Sequence, residues 1–238
     1  MYDNEFGEIQ VNTRANMCRV TARWRNNLLS VNKPAYVTLN QIATFINENR
    51  ESLRFLRQKS VEKATQTVRY TIGQRIPCFQ GDVLITAIEY LPHFTGYKRD
   101  KDGNLFILIS SQDDINTDIK QKAISGALKE LMKHTAPHVL IPFAHEVANE
   151  IGVRPKEFVI GRGLRKLGHC TTKKVIQLSA NLMFMPEELV RYIICHELAH
   201  LSEMNHSPKF HSLCNLYCKG KEKELERTLK AFTFPILK

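Results

Sequence analysis

Residues 192–206 read YIICHELAHLSEMNH, and this stretch decides the fold. His196 and His200 are four residues apart, so on an α-helix both side chains project from nearly the same face, one turn apart. Two imidazoles in that arrangement can reach one zinc ion at about 2.0–2.1 Å. Glu197 follows the first histidine and can approach a water molecule on the metal. The stretch matches the H-E-x-x-H pattern and predicts a metal-binding helix.

The residues around this stretch indicate a helix that packs against a core. The run Pro-Glu-Glu at 186–188 is typical of a helix start, because acidic side chains favour the positive end of the helix dipole. Leu189, Ile193 and Leu201 then place an apolar stripe on one side. Downstream, Ser207 and Pro208 are the residue types favoured at the N-cap and at the first position of a second helix. We therefore expect the histidines to lie on a helix that is itself packed against a core.

A catalytic metal site needs a third protein ligand and one position open to water. His206 follows His200 at a distance that lets the helix end and the chain turn back toward the metal. Asn205 can end the helix, because asparagine tolerates the left-handed conformation. His206 is the preferred third ligand. Glu203, on the same helix, and His211, in the next one, are the alternatives.

Short motifs on both sides of the helix carry a family resemblance. They are Gly168-x-Cys170, Ile176-x-Leu178, Asn181-Leu182, Pro186 and, after H-E-L-A-H, Asn205-His206-Ser207-Pro208-x-Phe210. With these motifs the chain resembles the YgjP-like metallohydrolases, small zincins related to the SprT and WLM groups, most densely over about residues 155–215. The resemblance implies one zinc ion, three histidine ligands and a catalytic glutamate.

The chain departs from the family pattern at two places. It has Leu-Gly-His-Cys at 167–170, where the family usually has an aromatic residue followed by Gly-Ser-Cys. It also has His211, where members often carry an aromatic residue. The resemblance does not identify the natural substrate.

The chain is basic, with 34 Lys and Arg against 24 Asp and Glu and a net charge of +10. A basic surface favours anionic partners, such as nucleic acid, nucleotides, acidic peptides or membrane headgroups. Part of this charge lies in the segment 162–174, as Arg162, Arg165, Lys166, Lys173 and Lys174. Such a segment can steady an oxyanion or a phosphate, and Arg165, Lys166 and His169 are the candidates. A solubilising loop is the alternative.

The chemistry of the motif predicts a hydrolase. Zinc lowers the pKa of a bound water, and Glu197 can take the proton. An extended peptide is the preferred substrate, with Val175–Ser179 as a strand that offers its open edge to it. One alternative is a nucleoside triphosphate pyrophosphohydrolase that uses the basic segment 162–174. A second is a nucleic-acid-binding module whose zinc is structural and closed by a fourth protein ligand.

The cysteines and the apolar runs of the sequence indicate the cellular compartment of the protein. The six cysteines form no C-x-x-C pair, and the N-terminal residues are acidic rather than a charged and then apolar signal. Both features indicate a reducing cytoplasm. No apolar run approaches the roughly 18–20 residues that span a bilayer, so we expect no membrane partner.

The order of predicted elements indicates an α+β fold with a zincin-like core, in which helices pack on a small mixed sheet. We expect a strand-rich module with one or two helices at 1–112 and a helical metallohydrolase core at 113–238. In the first module, Thr38-x-x-Gln41 is a capping box that begins a helix.

Further along the chain, turn residues predict where elements begin and end. The runs 83–88 and 105–109 are strongly β-prone, with Asp102-Gly103 as the hairpin turn between them. One helix begins after Asn116 or Thr117, and Pro137 begins the next, which Gly152 ends.

Overall fold

Two separate hydrophobic cores organise the chain. The computed structural model describes residues 1–25, 27–65, 68–89, 92–161 and 166–237. The chain divides into two compact units, Met1–Thr67 and Val68–Lys238, each with its own cluster of buried apolar side chains. The boundary expected at residues 112 and 113 differs from this division and stays a prediction about domain organisation.

The described part of the first unit is a mixed sheet with two helices. Its elements are β1 (Tyr2–Asp3), β2 (Gly7–Thr13), β3 (Thr21–Arg25), β4 (Leu28–Lys33), α1 (Leu39–Glu48) and α2 (Arg50–Thr65). The strand order is β1-β2-β4-β3, with β2 and β4 parallel. The predicted capping box is confirmed: the Gln41 amide donates to Thr38 Oγ1 at 3.3 Å, and the Thr38 amide donates to Gln41 Oε1 at 2.8 Å.

The second unit begins with another mixed sheet. Its strands are β5 (Arg75–Ile76), β6 (Val83–Ile88), β7 (Thr95–Arg99) and β8 (Leu105–Ser110), in the order β5-β6-β8-β7. The two β-prone runs form strands as predicted, but they pair in parallel, so the expected hairpin between them is wrong. The turn at Asp102-Gly103 instead joins β7 to β8, because the Asp100 carboxylate accepts hydrogen bonds from the Asp102 and Asn104 amides.

One long helix, α3 (Asp118–Ile151), follows the sheet. Thr117 caps it, and Gly152 ends it in the left-handed conformation with a φ of 79°, as predicted. A new helix at Pro137 is not found, because α3 continues through this residue. The buried side is continuous across the proline, from Leu131 to Leu140, and its packing offsets the missing backbone hydrogen bond.

A three-stranded sheet precedes the metal-binding motif. Its strands are β9 (Glu157–Gly161), β10 (Gly168–Cys170) and β11 (Val175–Ser179), in the order β10-β11-β9. The expectation that Val175–Ser179 is an edge is wrong, since β11 pairs in parallel with β9 and antiparallel with β10. A tight turn, in which the Lys174 amide donates to the Thr171 carbonyl at 2.9 Å, folds β10 back onto β11. In this sheet, as the structure describes it, β10 and β9 are therefore the two edge strands.

Three α-helices complete the second unit. They are α4 (Glu187–Ala199), α5 (Pro208–Tyr217) and α6 (Glu222–Ala231), and a 3-10 turn at Ala180–Phe184 precedes them. Leu189 and Ile193 of α4 are buried, as the apolar stripe predicts, and Leu201, just past the end of the helix, is partly buried. Helices on small mixed sheets confirm the α+β fold class. Within the described ranges, no helix has both the length and the apolar character to cross a bilayer.

Candidate metal centre

Three histidines come together where α4 ends. His196 lies in the last turn of α4, His200 is its C-cap, and His206 returns from the following turn. One ring nitrogen of each lies within 4.8 Å of those of the other two. The Nε2 atoms of His196 and His206 are 3.1 Å apart, so these two rings present the same nitrogen to the centre of the group.

The helix ends earlier than expected. It stops at Ala199 rather than at Asn205, because the amides of Ser202 and Glu203 both donate to the Ala199 carbonyl in a tight turn. This turn brings the Glu203 carbonyl to 2.9 Å from Nδ1 of His200. A carbonyl only accepts, so Nδ1 carries the proton and the lone pair of Nε2 is left for a metal.

The alternatives for the third ligand lie elsewhere. Glu203 supplies its backbone carbonyl to His200, and its carboxylate is not in the histidine group. His211 Nδ1 is 2.8 Å from Oε1 of Glu222, and its ring centroid is 6.3 Å from that of His206. The structure thus groups His206, and neither alternative, with His196 and His200.

Phe210 forms a common wall for the three imidazoles. Its ring is fully buried, and its centroid lies 4.9 Å from that of His196, 4.5 Å from that of His200 and 4.8 Å from that of His206. The predicted start of α5 places it there, since the Phe210 amide donates to Oγ of the N-cap Ser207 at 3.3 Å. The sequence indicates Phe210 only as part of the family motif, because neither the motif nor helical spacing shows what this ring contacts.

Burial favours the neutral form of His196 and His200. It lowers the pKa of His196 to about 4, and the neighbouring rings of His200 and His206 add to the effect. Burial also lowers the pKa of His200. Neutral imidazoles are the form that binds metals, so these residues fit a divalent ion with nitrogen ligands.

Glu197 lies beside this group and is 5% exposed. Burial raises its pKa to about 7, while a hydrogen bond from the Cys170 backbone amide and the charge of Lys166 oppose the rise. The His169 ring acts electrostatically on His200, whose pKa it lowers. Lys166 and His169 therefore lie within electrostatic reach of the centre. The third oxyanion candidate, Arg165, falls outside the described residues, as does the rest of 162–165.

Grouped imidazoles beside a buried carboxylate fit a metal-dependent hydrolase. A model of the YgjP-like metallopeptidase domain matches residues 19–232. The chain therefore belongs to the YgjP-like metallopeptidase family, and the resemblance seen in the sequence is confirmed. The family implies a bound metal ion and peptide substrates.

The chain was also compared with solved structures and with curated proteins. The chain is similar to a solved structure, the metallopeptidase zymogen jannalysin of Methanocaldococcus jannaschii, with a TM-score of 0.34 and 23% identity. The similar region covers 39% of this chain and 94% of jannalysin. No curated protein matches the chain.

Proposed function

We propose that the chain is a zinc-dependent metallopeptidase in which His196, His200 and His206 hold one zinc ion and Glu197 is the general base. The observation that carries this proposal is the grouping of three imidazoles next to a buried carboxylate. Three protein nitrogens leave a tetrahedral ion one position for water, which is the arrangement of catalytic rather than structural zinc.

The reaction follows from the chemistry of these side chains. A zinc ion held there would polarise the scissile carbonyl and make water more acidic. Glu197 would accept a proton from the attacking water and later donate it to the leaving nitrogen. Lys166 and His169 are the candidates for steadying the oxyanion, since their charges act on Glu197 and His200.

Strand β10 favours an extended peptide as the substrate. It is an edge strand of its sheet and lies next to Glu197, so a peptide added along its open side would place a carbonyl near the metal. The family match also favours peptides, whereas the comparisons do not support a nucleotide or a nucleic acid. A closed structural site would need a fourth protein ligand, and the group found among the described residues has three.

Metal content and hydrolysis, measured in parallel, test this function. We expect wild type and Glu197→Gln each to bind about one zinc ion, and only wild type to cleave members of a mixed peptide library. His206→Ala should lose zinc, while His211→Ala should keep it.

Three results would count against the proposal. Peptide cleavage by Glu197→Gln at the wild-type rate would exclude Glu197 as the base. Turnover of a nucleotide panel instead of peptides would refute the substrate class. Zinc binding without hydrolysis by either protein would favour a structural metal.

A further inference from the structure

Gly168, the first residue of β10, lies against the side chain of Glu197. A Cβ atom built on Gly168 would be 2.6 Å from Cγ and 2.7 Å from Cδ of Glu197, and it would also overlap Oε1. Ordinary contacts of a Cβ atom begin at 3.4 Å. Any side chain at position 168 would therefore overlap three atoms of the glutamate at once.

The backbone at this position does not itself require glycine. Gly168 lies in a regular strand and is not among the glycines with positive φ. An alanine could adopt the same backbone conformation without strain. The space that Glu197 occupies is therefore what excludes a side chain at position 168.

The same strand also turns backbone amides away from its neighbour β11. The Thr171 amide donates to the Val175 carbonyl, and the Ser179 amide donates to the Leu167 carbonyl, both at 2.9 Å. Bonded pairs alternate along an antiparallel ladder, so the amides of alternate residues in β10 point away from β11. The Cys170 amide is one of these, and it lowers the pKa of Glu197.

We propose that Gly168 is a positioning residue for Glu197: its missing side chain lets β10 close against the carboxylate, and this contact holds the carboxylate beside the proposed metal centre. This inference rests on the proposed role of Glu197. To restore an ordinary contact with an alanine, the glutamate would have to move by about 1 Å, a misplacement of the size that can lower a rate about 100-fold.

A cycle of single and double variants tests the contact without reference to activity. Gly168→Ala should lower Tm when Glu197 is present. It should change Tm little in a Glu197→Ala background, because Cγ, Cδ and Oε1 are then gone. An equal loss of Tm in both backgrounds would overturn the proposal.

The matched control is Gly161→Ala in β9 of the same sheet. There the added Cβ overlaps Gln177 instead of Glu197. The resulting loss of Tm should be the same in the wild-type and the Glu197→Ala backgrounds, since the clash does not involve the glutamate.

Steady-state kinetics on a cleaved peptide test the positioning role. Gly168→Ala should keep its zinc and its KM and lose about 100-fold in kcat, whereas general damage to the sheet would also change KM or zinc content. Unchanged kcat would overturn the positioning role. If Glu197→Gln were fully active, the proposed function would fail, yet the Tm cycle would still decide whether the contact exists.

Discussion

Replacing Phe210 by alanine should weaken metal binding, although Phe210 is not itself a metal ligand. The ring is fully buried and lies 4.5–4.9 Å, centroid to centroid, from all three imidazoles. Truncation of a buried phenylalanine costs about 3–5 kcal/mol in the metal-free protein. In addition, the imidazoles lose their common support, and loss of such support typically lowers metal affinity about 10–100-fold. The stabilisation that saturating zinc gives should then fall by about 1.4–2.7 kcal/mol.

Chemical denaturation with and without zinc separates these two effects. Phe210→Leu is the milder variant and keeps the test valid if the alanine variant does not fold. Phe79→Leu is the control, because Phe79 is buried in the same core but its ring packs on Phe143, at 4.9 Å. Phe79→Leu should lower the free energy of unfolding of the metal-free protein and leave the stabilisation by saturating zinc unchanged. If saturating zinc stabilised both Phe210 variants as much as wild type, metal binding by the imidazoles would not depend on this ring.

Three further predictions concern the third proposed ligand, an ion pair of the first unit and a glycine of α3. His206→Ala should lower zinc affinity, measured by competition with a chelating dye, by at least about tenfold, while His211→Ala should not; equal losses would refute the grouping of His206 with the other two histidines. Hydrogen bonding to Arg50 holds the pKa of Asp3 below its usual value, so this pair stabilises the folded protein above the ordinary aspartate pKa, and the contribution is lost as the pH falls through the lower, folded value. The difference in urea midpoint between wild type and Arg50→Met should therefore shrink between pH 6 and about pH 3, and a constant difference would contradict this. Gly126→Ala, at an exposed position of α3 where a Cβ meets nothing within 4 Å, should raise stability by about 0.5–1 kcal/mol, measured by thermal melting; a lower Tm would show that the position is strained.

Features that depend on neighbouring residues could be predicted from the sequence. The side-by-side placement of His196 and His200 follows from helical spacing, and the caps at Thr38 and Ser207 follow from their side chains. The return of His206 needed only a short turn. Each of these depends on residues a few positions apart.

Features that depend on distant pairing could not be predicted. Strand β10 is three residues long and has no alternating apolar pattern, so Val175–Ser179 was expected to be the edge. Likewise, Pro137 normally begins a helix or breaks one, and only the packing of α3 on both sides of it decides otherwise. The close approach of Gly168 to Glu197 does not follow from the motif Gly168-x-Cys170, because it depends on how β10 packs against α4.

The proposed metal ligands and the surroundings of Glu197 come from different elements of the fold, so variants of the two should have different effects. The proposed ligands and Phe210 all lie within residues 196–210, so α4, the turn and α5 together define the metal position. The surroundings of Glu197 come instead from β10, a strand of the preceding sheet. Changes at Phe210 should therefore act on metal affinity, and changes at Gly168 should act on kcat with the metal retained. A variant of Gly168 that lost zinc in proportion to its activity would contradict this separation, since it would mean that β10 also sets the position of the histidines.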